Sequence, residues 1–264
     1  MNKVLLASLV TTNLLIVVVA GLYIKLVLLE TPRFKIYIKW IPAFILFMQS
    51  IYLSYYYRKN NDNKSLKYCI LISICFLFCI GGDICLALRQ EYMFFLGMLI
   101  FMMFYIVFGS VRVVDVYKFL RNENSIEEYN VTRLCHNKKL MVLFVIIGLL
   151  VSGLGFSYLL IQIIHNDKYD HPIYFVAISI YFLAMLYASN THLVMLFVYR
   201  DTKYYLAYVG IIVFMVSDFL VMLFDVKYNN VIMESIYMAI YWCSLIVIGA
   251  SCYAKEINDF YLPW

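Results

Sequence analysis

Charged side chains are scarce in this chain of 264 residues, where only 14% of positions hold Asp, Glu, Lys or Arg. Soluble domains carry about 25% charged residues, so this chain has too little polar surface to cover a water-facing globule. Hydrophobic residues make up 65% of the sequence, and Tyr and Phe alone supply 25 and 20 positions. The composition excludes a soluble domain and indicates a protein whose outer surface faces lipid.

No Cys-x-x-Cys pair occurs, and most of the 7 cysteines lie inside apolar runs. Cysteines in such places are typical of small core residues rather than of a metal site or a disulfide framework. The net charge of +5 could suggest a nucleic-acid partner. The basic residues, however, are spread over short loops between apolar runs and form no basic face. The sequence therefore predicts no nucleic-acid partner, no metal and no cofactor.

Long apolar runs predict eight membrane-spanning helices, because a helix needs about 20 mostly apolar residues to cross a bilayer. The predicted fold is an all-α bundle that forms a single domain over residues 1–264, with spans at residues 4–24, 40–57, 66–88, 92–114, 140–164, 173–199, 204–224 and 231–253. The connections 89–91 and 200–203 are short enough to predict two tight antiparallel hairpins. The longest loop, about residues 115–139, is mixed in charge and predicts an interfacial helix or a solvated linker.

Lys and Arg are distributed unevenly between the two sets of loops. Most of the 21 basic residues lie at the N-terminus, in alternate loops beginning with residues 58–65, and at the C-terminus. Positive charge of this kind stays on the cytoplasmic side of a membrane. The sequence therefore predicts a multi-pass integral membrane protein with both termini in the cytoplasm.

Two aspartates lie inside predicted spans, where an acid costs at least ~2.5 kcal/mol and indicates a functional site by default. Asp83 follows two glycines and Asp218 follows Ser217. They lie about 26 Å and about 21 Å along helices that leave the cytoplasm, at about 1.5 Å per residue, so both fall in the outer third of the membrane. A membrane aspartate can also simply bond a neighbouring helix. Two at one depth favour a shared functional site.

The order of the spans contains a weak repeat, because each aspartate lies in the third helix of a four-helix half. A parallel duplication of that unit would place both acids at one level. In the last span, one helical face carries Glu234, Tyr237, Tyr241 and Ser244. That face brings Tyr241 to the depth of the aspartates. Asn190 and His192 lie in the cytoplasmic half of their span, too far from the aspartates to join the site directly, and His192 is interpreted as a helix-packing or interfacial residue. Asn13 and Gln49, near the middle of the membrane, are interpreted as packing residues.

The motifs around the two acids resemble those of the lysoplasmalogenase-like family of membrane proteins, the YhhN type. Gly82-Asp83 is followed, after a short loop, by Phe95-Leu96-Gly97 and an aromatic helix, and Ser217-Asp218 matches the family's Ser-Asp motif. In the last span Tyr241-Trp242 and Ala250-Ser251 match its pattern of two aromatics followed by a small residue and Ser. Lys39 and Pro42 are a loose counterpart of a Lys-Pro element.

The resemblance implies eight helices and hydrolysis of the vinyl-ether bond of lysoplasmalogens, which yields a fatty aldehyde and a glycerophospho-headgroup. It also implies a lysophospholipid partner and a home in the endoplasmic reticulum or another endomembrane. Three positions depart from the family pattern. Tyr105 stands where the family has His, Phe108 where it has Tyr, and Leu245 where it has Gln. These departures leave open a catalytically impaired relative that binds lysolipid.

Vinyl-ether chemistry gives two acids two roles. Protonation at carbon produces an oxocarbenium ion, and a carboxylic acid that an apolar site keeps protonated is a suitable donor. A second carboxylate can stabilise that cation and orient water, as paired acids do in glycosidases. Asp83 and Asp218 are therefore the predicted catalytic pair, with the donor unassigned. The predicted substrate-binding residues are Tyr241, for water or the ether oxygen, Lys39, for the phosphate, and Tyr105 and Ser217.

Two other classes of function remain open from the sequence. Acids within membrane spans are also typical of proton-coupled transporters. A receptor of a seven-helix type would require that residues 4–24 not form a span. The transporter would move its substrate with a pH gradient and release no aldehyde, whereas an even number of spans, with both termini on one side, excludes the receptor.

Overall fold

The computed structural model describes residues 3–28, 37–88, 91–110, 172–199, 201–227 and 231–254, with shorter pieces at 142–143, 145–150, 153–154, 157–158 and 161. Seven helices have described ends: α1 (Lys3–Leu28), α2 (Ile41–Lys59), α3 (Asn63–Ala87), α4 (Glu91–Gly109), α5 (Pro172–Tyr199), α6 (Thr202–Lys227) and α7 (Val231–Ser251). The short pieces between 142 and 161 are also helical. The described part of the chain contains no strand, which confirms the all-α fold.

Seven of the eight predicted spans correspond to these helices within a few residues. The eighth, at 140–164, is described only in those helical pieces, and the loop at 115–139 lies outside the described residues. The predicted hairpin at 89–91 is confirmed, because α3 ends at Ala87 and α4 begins at Glu91. The hairpin at 200–203 is confirmed in the same way, since α5 ends at Tyr199 and α6 begins at Thr202.

Two aspartates outside the apolar runs start helices. The Asp62 carboxylate accepts a hydrogen bond from the Ser65 backbone N–H at 3.1 Å and so caps α3. Asn61, which precedes it, adopts a φ of 56°, a left-handed conformation that Asn tolerates better than most residues. At the start of α6 the Asp201 carboxylate accepts from the Lys203 N–H at 3.1 Å. Side-chain acceptors of this kind satisfy the free N–H groups of a first helical turn.

Six helices form a closed ring. Among the helices with described ends, each of α2 to α6 packs against the next in number, and α7 packs back against α2. The helical pieces between residues 142 and 161 lie between α4 and α5 in the sequence. α1 lies outside this ring, against α2 and α7, and only 11% of its apolar window is buried. α2, α4, α5 and α7 begin at one end of the bundle, where α3 and α6 end. Neighbouring helices of the ring are therefore antiparallel, except that α4 runs parallel to α5 and α7 runs parallel to α2.

The outward faces of the helices are apolar. Large exposed side chains include Val18, Leu77, Leu99, Leu183 and Ile232. Six of the described helices, α1 and α3 to α7, are long and apolar enough to cross a membrane. A surface of this kind is stable only in lipid. The chain is a multi-pass helical membrane protein, and the count of eight spans stays a prediction.

Two glycines allow helices of the ring to approach closely. A Cβ on Gly82 of α3 would lie 2.5 Å from the Phe101 ring of α4. A Cβ on Gly210 of α6 would lie 2.5 Å from Ile248 Cγ1 and 3.1 Å from its backbone nitrogen, on α7. Close contacts through small residues are a usual means of packing membrane helices. They bring α3 against α4 next to Asp83, and α6 against α7 about two turns before Asp218.

Candidate functional site

Both span aspartates line one cavity inside the ring. The cavity lies toward the end where α2, α4, α5 and α7 begin, and together with the open space at its mouth it measures about 490 Å³. All six helices of the ring contribute to it, α2 through the turn that precedes it. The lining residues are Lys39, Asp83, Leu86, Phe94, Met98, Phe101, Tyr181, Ser217, Asp218, Val221, Met222, Met238 and Tyr241. A mostly apolar wall with a few convergent polar groups is typical of a small-molecule site.

Asp83 lies on α3 and is almost completely buried, with 1% of its surface exposed. The Tyr241 hydroxyl of α7 donates a hydrogen bond to Asp83 Oδ2 at 2.9 Å. The two residues are 158 positions apart in the sequence, and their hydrogen bond connects α3 to α7, which are not consecutive helices. The sequence placed Tyr241 at the depth of the acids, and the structure brings it into contact with one of them.

Asp218 lies on α6, is half-buried, and has two phenolic partners. The Tyr105 hydroxyl of α4 donates to Asp218 Oδ2 at 2.7 Å. The Tyr181 hydroxyl of α5 donates to the same oxygen. The two rings meet edge to face, with centroids 5.6 Å apart. Asp218 therefore accepts two hydrogen bonds where Asp83 accepts one.

Phe214 forms an aromatic support beneath the two carboxyl groups. It lies one turn before Asp218 on α6 and is fully buried. Its ring stacks on Phe104 at 4.6 Å, and it meets the edges of the Tyr105 and Tyr241 rings at 5.4 and 5.2 Å. Tyr105 donates to Asp218 and Tyr241 donates to Asp83. Because both rings pack on Phe214, their hydroxyl groups are held at fixed positions relative to each other.

Lys39 supplies the positive charge of the cavity. It lies in the turn before α2, at the cavity end of the bundle, and interacts electrostatically with both Asp83 and Asp218. The sequence predicted that Lys39 binds the phosphate, and that role stays a prediction. An ammonium at such a position suits a phosphate group, which Lys binds as a point charge.

The structure brings the six sequence-predicted site residues together. Five line the cavity, namely Lys39, Asp83, Ser217, Asp218 and Tyr241, and Tyr105 contacts Asp218. Ser217 also has a helix-packing task, because its hydroxyl donates to the Tyr237 carbonyl of α7 at 3.0 Å. Whether these residues act in catalysis or binding stays a prediction.

Sequence reasoning missed Tyr181. The chain contains 25 tyrosines, and several occur in each aromatic span, so residue type alone could not select one. A usable signal was position, since Tyr181 follows the start of α5 by about 14 Å at about 1.5 Å per residue and so reaches the depth of the acids.

His192 is a packing residue, as the sequence indicated. Its ring stacks on Phe108 with centroids 4.1 Å apart, and its Nδ1 lies 2.9 Å from the Ala188 carbonyl oxygen. Asn190, also on α5, donates from Nδ2 to the Leu186 carbonyl at 2.8 Å. Both polar groups are used within their own helix, in the half of the bundle away from the cavity.

Comparison with known proteins gives one family. A model of the YhhN family matches residues 34–252. No curated protein and no solved structure matches the chain. The matched segment includes every cavity residue and begins after α1, the helix that lies outside the ring.

Proposed function

Because this chain belongs to the YhhN family, we propose that it is a membrane hydrolase that cleaves the vinyl-ether bond of lysoplasmalogens. Its products are a fatty aldehyde and a glycerophospho-headgroup. The observation that carries this proposal is the convergence of Asp83 and Asp218 on one largely apolar cavity within the ring. Vinyl-ether hydrolysis requires a proton donor and a carboxylate near the same carbon atoms, and this pair supplies both.

The wall of the cavity supports a single-chain lipid as substrate. Leu86, Phe94, Met98, Val221 and Met222 give it an apolar surface suited to an alkenyl chain. Lys39 offers a positive charge to the phosphate at the end of the bundle. With the chain along the apolar wall and the phosphate near Lys39, the ether oxygen lies between these two regions, where the acids stand.

The distribution of Lys and Arg between the loops gives the proposed orientation of the cavity in the membrane. With both termini in the cytoplasm, the cavity end of the bundle faces the opposite side of the membrane. In an endomembrane such as the endoplasmic reticulum, the substrate would then be taken from the lumenal leaflet. Membrane lipid is both the solvent and the source of substrate.

Aldehyde release from a lysoplasmalogen by the purified protein in detergent tests the proposal. We expect release by the native chain and a fall of at least about a hundredfold in Asp83→Asn and in Asp218→Asn, because general acid–base groups contribute about 10²–10⁴-fold. Glu234→Gln is the matched control. It makes the same carboxyl-to-amide change on α7, where Glu234 accepts from Tyr23 at 2.9 Å, and full turnover is expected.

Three results would contradict the proposal. Undiminished turnover in either aspartate variant removes the acid pair from the mechanism. Saturable lysolipid binding without aldehyde identifies an inactive lipid-binding relative. Uptake of a solute into vesicles that depends on a pH gradient, without any chemical product, identifies a proton-coupled transporter.

A further inference from the structure

The two aspartates of the cavity differ in their surroundings. Asp83 is 1% exposed and accepts one phenolic hydrogen bond. Asp218 is half-buried and accepts two, both at Oδ2. Burial favours a neutral carboxylic acid, whereas each donated hydrogen bond favours a carboxylate, so Asp83 with the deeper burial and the single donor is the one more easily kept neutral. Paired acids in other enzymes divide their roles along this line, with the acid in the apolar site and the carboxylate in the hydrogen-bonded one.

Geometry at Asp218 Oδ2 strengthens the distinction. Tyr105 and Tyr181 approach this one oxygen from two neighbouring helices, with ring planes 89° apart. A carboxylate oxygen accepts both hydroxyl hydrogens with its two lone pairs. A proton on Oδ2 would add a third hydrogen in the same space, so Oδ2 is an unprotonated oxygen. Two hydrogen bonds donated to one carboxyl group also favour the carboxylate over the neutral acid.

Charge balance leads to the same assignment. Three charged groups line the cavity in the described part of the chain: Lys39, Asp83 and Asp218. With one aspartate ionised, the lining is neutral together with Lys39. With both ionised, it would hold a net negative charge in an apolar surrounding, which is costly.

We propose that Asp83 is the proton donor and Asp218 the carboxylate, and that Tyr105 and Tyr181 are positioning residues that keep Asp218 ionised and fix its Oδ1 toward the reacting carbon. This assignment rests on the proposed hydrolysis. Asp83 gives its proton to the alkenyl carbon that is not bonded to oxygen, and the oxocarbenium ion forms beside Asp218.

Water then adds to the carbon bonded to oxygen and gives one proton to Asp218, which leaves a neutral hemiacetal. The hemiacetal loses its hydroxyl proton as the bond to the glycerol oxygen breaks, and that oxygen takes up a proton, so aldehyde and alcohol leave. The proton held by Asp218 returns to Asp83 and restores the starting state. The only reactant besides the lipid is water.

Infrared spectroscopy of the purified protein tests the assignment without turnover. A protonated carboxyl gives a carbonyl band that shifts in D₂O and also when a hydrogen bond to that carboxyl is lost. We expect Tyr241→Phe to shift this band, because Tyr241 bonds Asp83, and Tyr181→Phe to leave it in place. A band that shifts in Tyr181→Phe and not in Tyr241→Phe, or the absence of such a band in the native chain, would overturn the assignment.

Kinetics of the same variants provide the second measurement. Tyr→Phe keeps each ring and its packing. Loss of one hydrogen bond to a charged group should lower kcat of Tyr181→Phe by about tenfold to a hundredfold, with KM nearly unchanged, because Asp218 acts on the cation of the transition state. A raised KM with native kcat would overturn its positioning role. If the native chain releases no aldehyde while the band still follows Tyr241, the hydrolysis fails and the protonation assignment stands.

Discussion

Gly82 provides a direct test of how the site is packed. A Cβ at this position would lie 2.5, 2.6 and 2.8 Å from three atoms of the Phe101 ring. The nearest atom must therefore retreat by about 0.9 Å to reach the 3.4 Å at which ordinary contact begins. Phe101 cannot move freely, because its ring packs against Phe214 and Tyr241 at 5.9 and 6.1 Å. We expect Gly82→Ala to destabilise the protein by about 1–3 kcal/mol, the usual range for overpacking.

The neighbouring glycine is a matched control. A Cβ on Gly81 meets only Ile100 of α4, at 3.4 Å, which is ordinary contact. Both Gly→Ala changes gain the same helix propensity, about 1 kcal/mol, so their difference measures the clash alone. Thermal unfolding in detergent should place Gly82→Ala below Gly81→Ala by roughly 2–4 °C for each kcal/mol.

The Phe101 ring also links the clash to the proposed reaction. A ring that retreats presses on Tyr241, which donates to Asp83, so turnover of Gly82→Ala should fall together with its stability. The double variant Gly82→Ala, Phe101→Leu removes the obstructing ring and should recover stability. Equal unfolding temperatures for Gly81→Ala and Gly82→Ala would refute the reasoning, because the close approach of α3 and α4 would then not depend on the missing side chain.

Two further predictions concern other parts of the cavity wall. Ser217→Ala removes the donor to the Tyr237 carbonyl and should lower the stability of the α6–α7 contact by about 1 kcal/mol, seen in thermal unfolding, whereas an unchanged unfolding temperature would show that this bond contributes nothing. Lys39→Met should raise KM for a lysoplasmalogen by about tenfold to a hundredfold, the effect of a lost charged contact. An alkenylglycerol without phosphate is the control substrate, and an equal rise in its KM would exclude a role in phosphate binding.

Much of the fold could be predicted from the sequence because lipid imposes a simple rule on helix length and composition. The predicted span 204–224 corresponds to Thr202–Lys227, and 173–199 to Pro172–Tyr199. The common depth of Asp83 and Asp218 could also be predicted, because depth follows from the rise per residue once a span is placed. The closed order of the ring was not accessible. The apolar sequences of the helices do not predict that α7 packs on α2, because Leu and Ile side chains pack equally well against lipid and against another helix.

The partners of the acids show where sequence reasoning stops. Tyr241 could be selected because it shares a helical face with other polar residues. For Tyr181, position along α5 indicates the correct depth but not the direction of the side chain, because its neighbours on α5 are apolar. Its contact with Asp218 depends on how α5 and α6 are rotated about their axes. Rotation is determined by side-chain packing between particular helices, and a single sequence does not state which helices are neighbours.

The three residues that depart from the family pattern differ in their distance from the acids. Phe108 is fully buried and stacks on His192 and on Phe104, at 4.1 and 5.5 Å, and Leu245 is fully buried in the core. Neither residue lines the cavity. Of the three residues, only Tyr105 contacts one of the acids, and its hydroxyl donates a hydrogen bond to Asp218. The chain therefore keeps a hydrogen-bond donor to Asp218 at this position, and aldehyde release decides between the active hydrolase that we propose and an impaired relative.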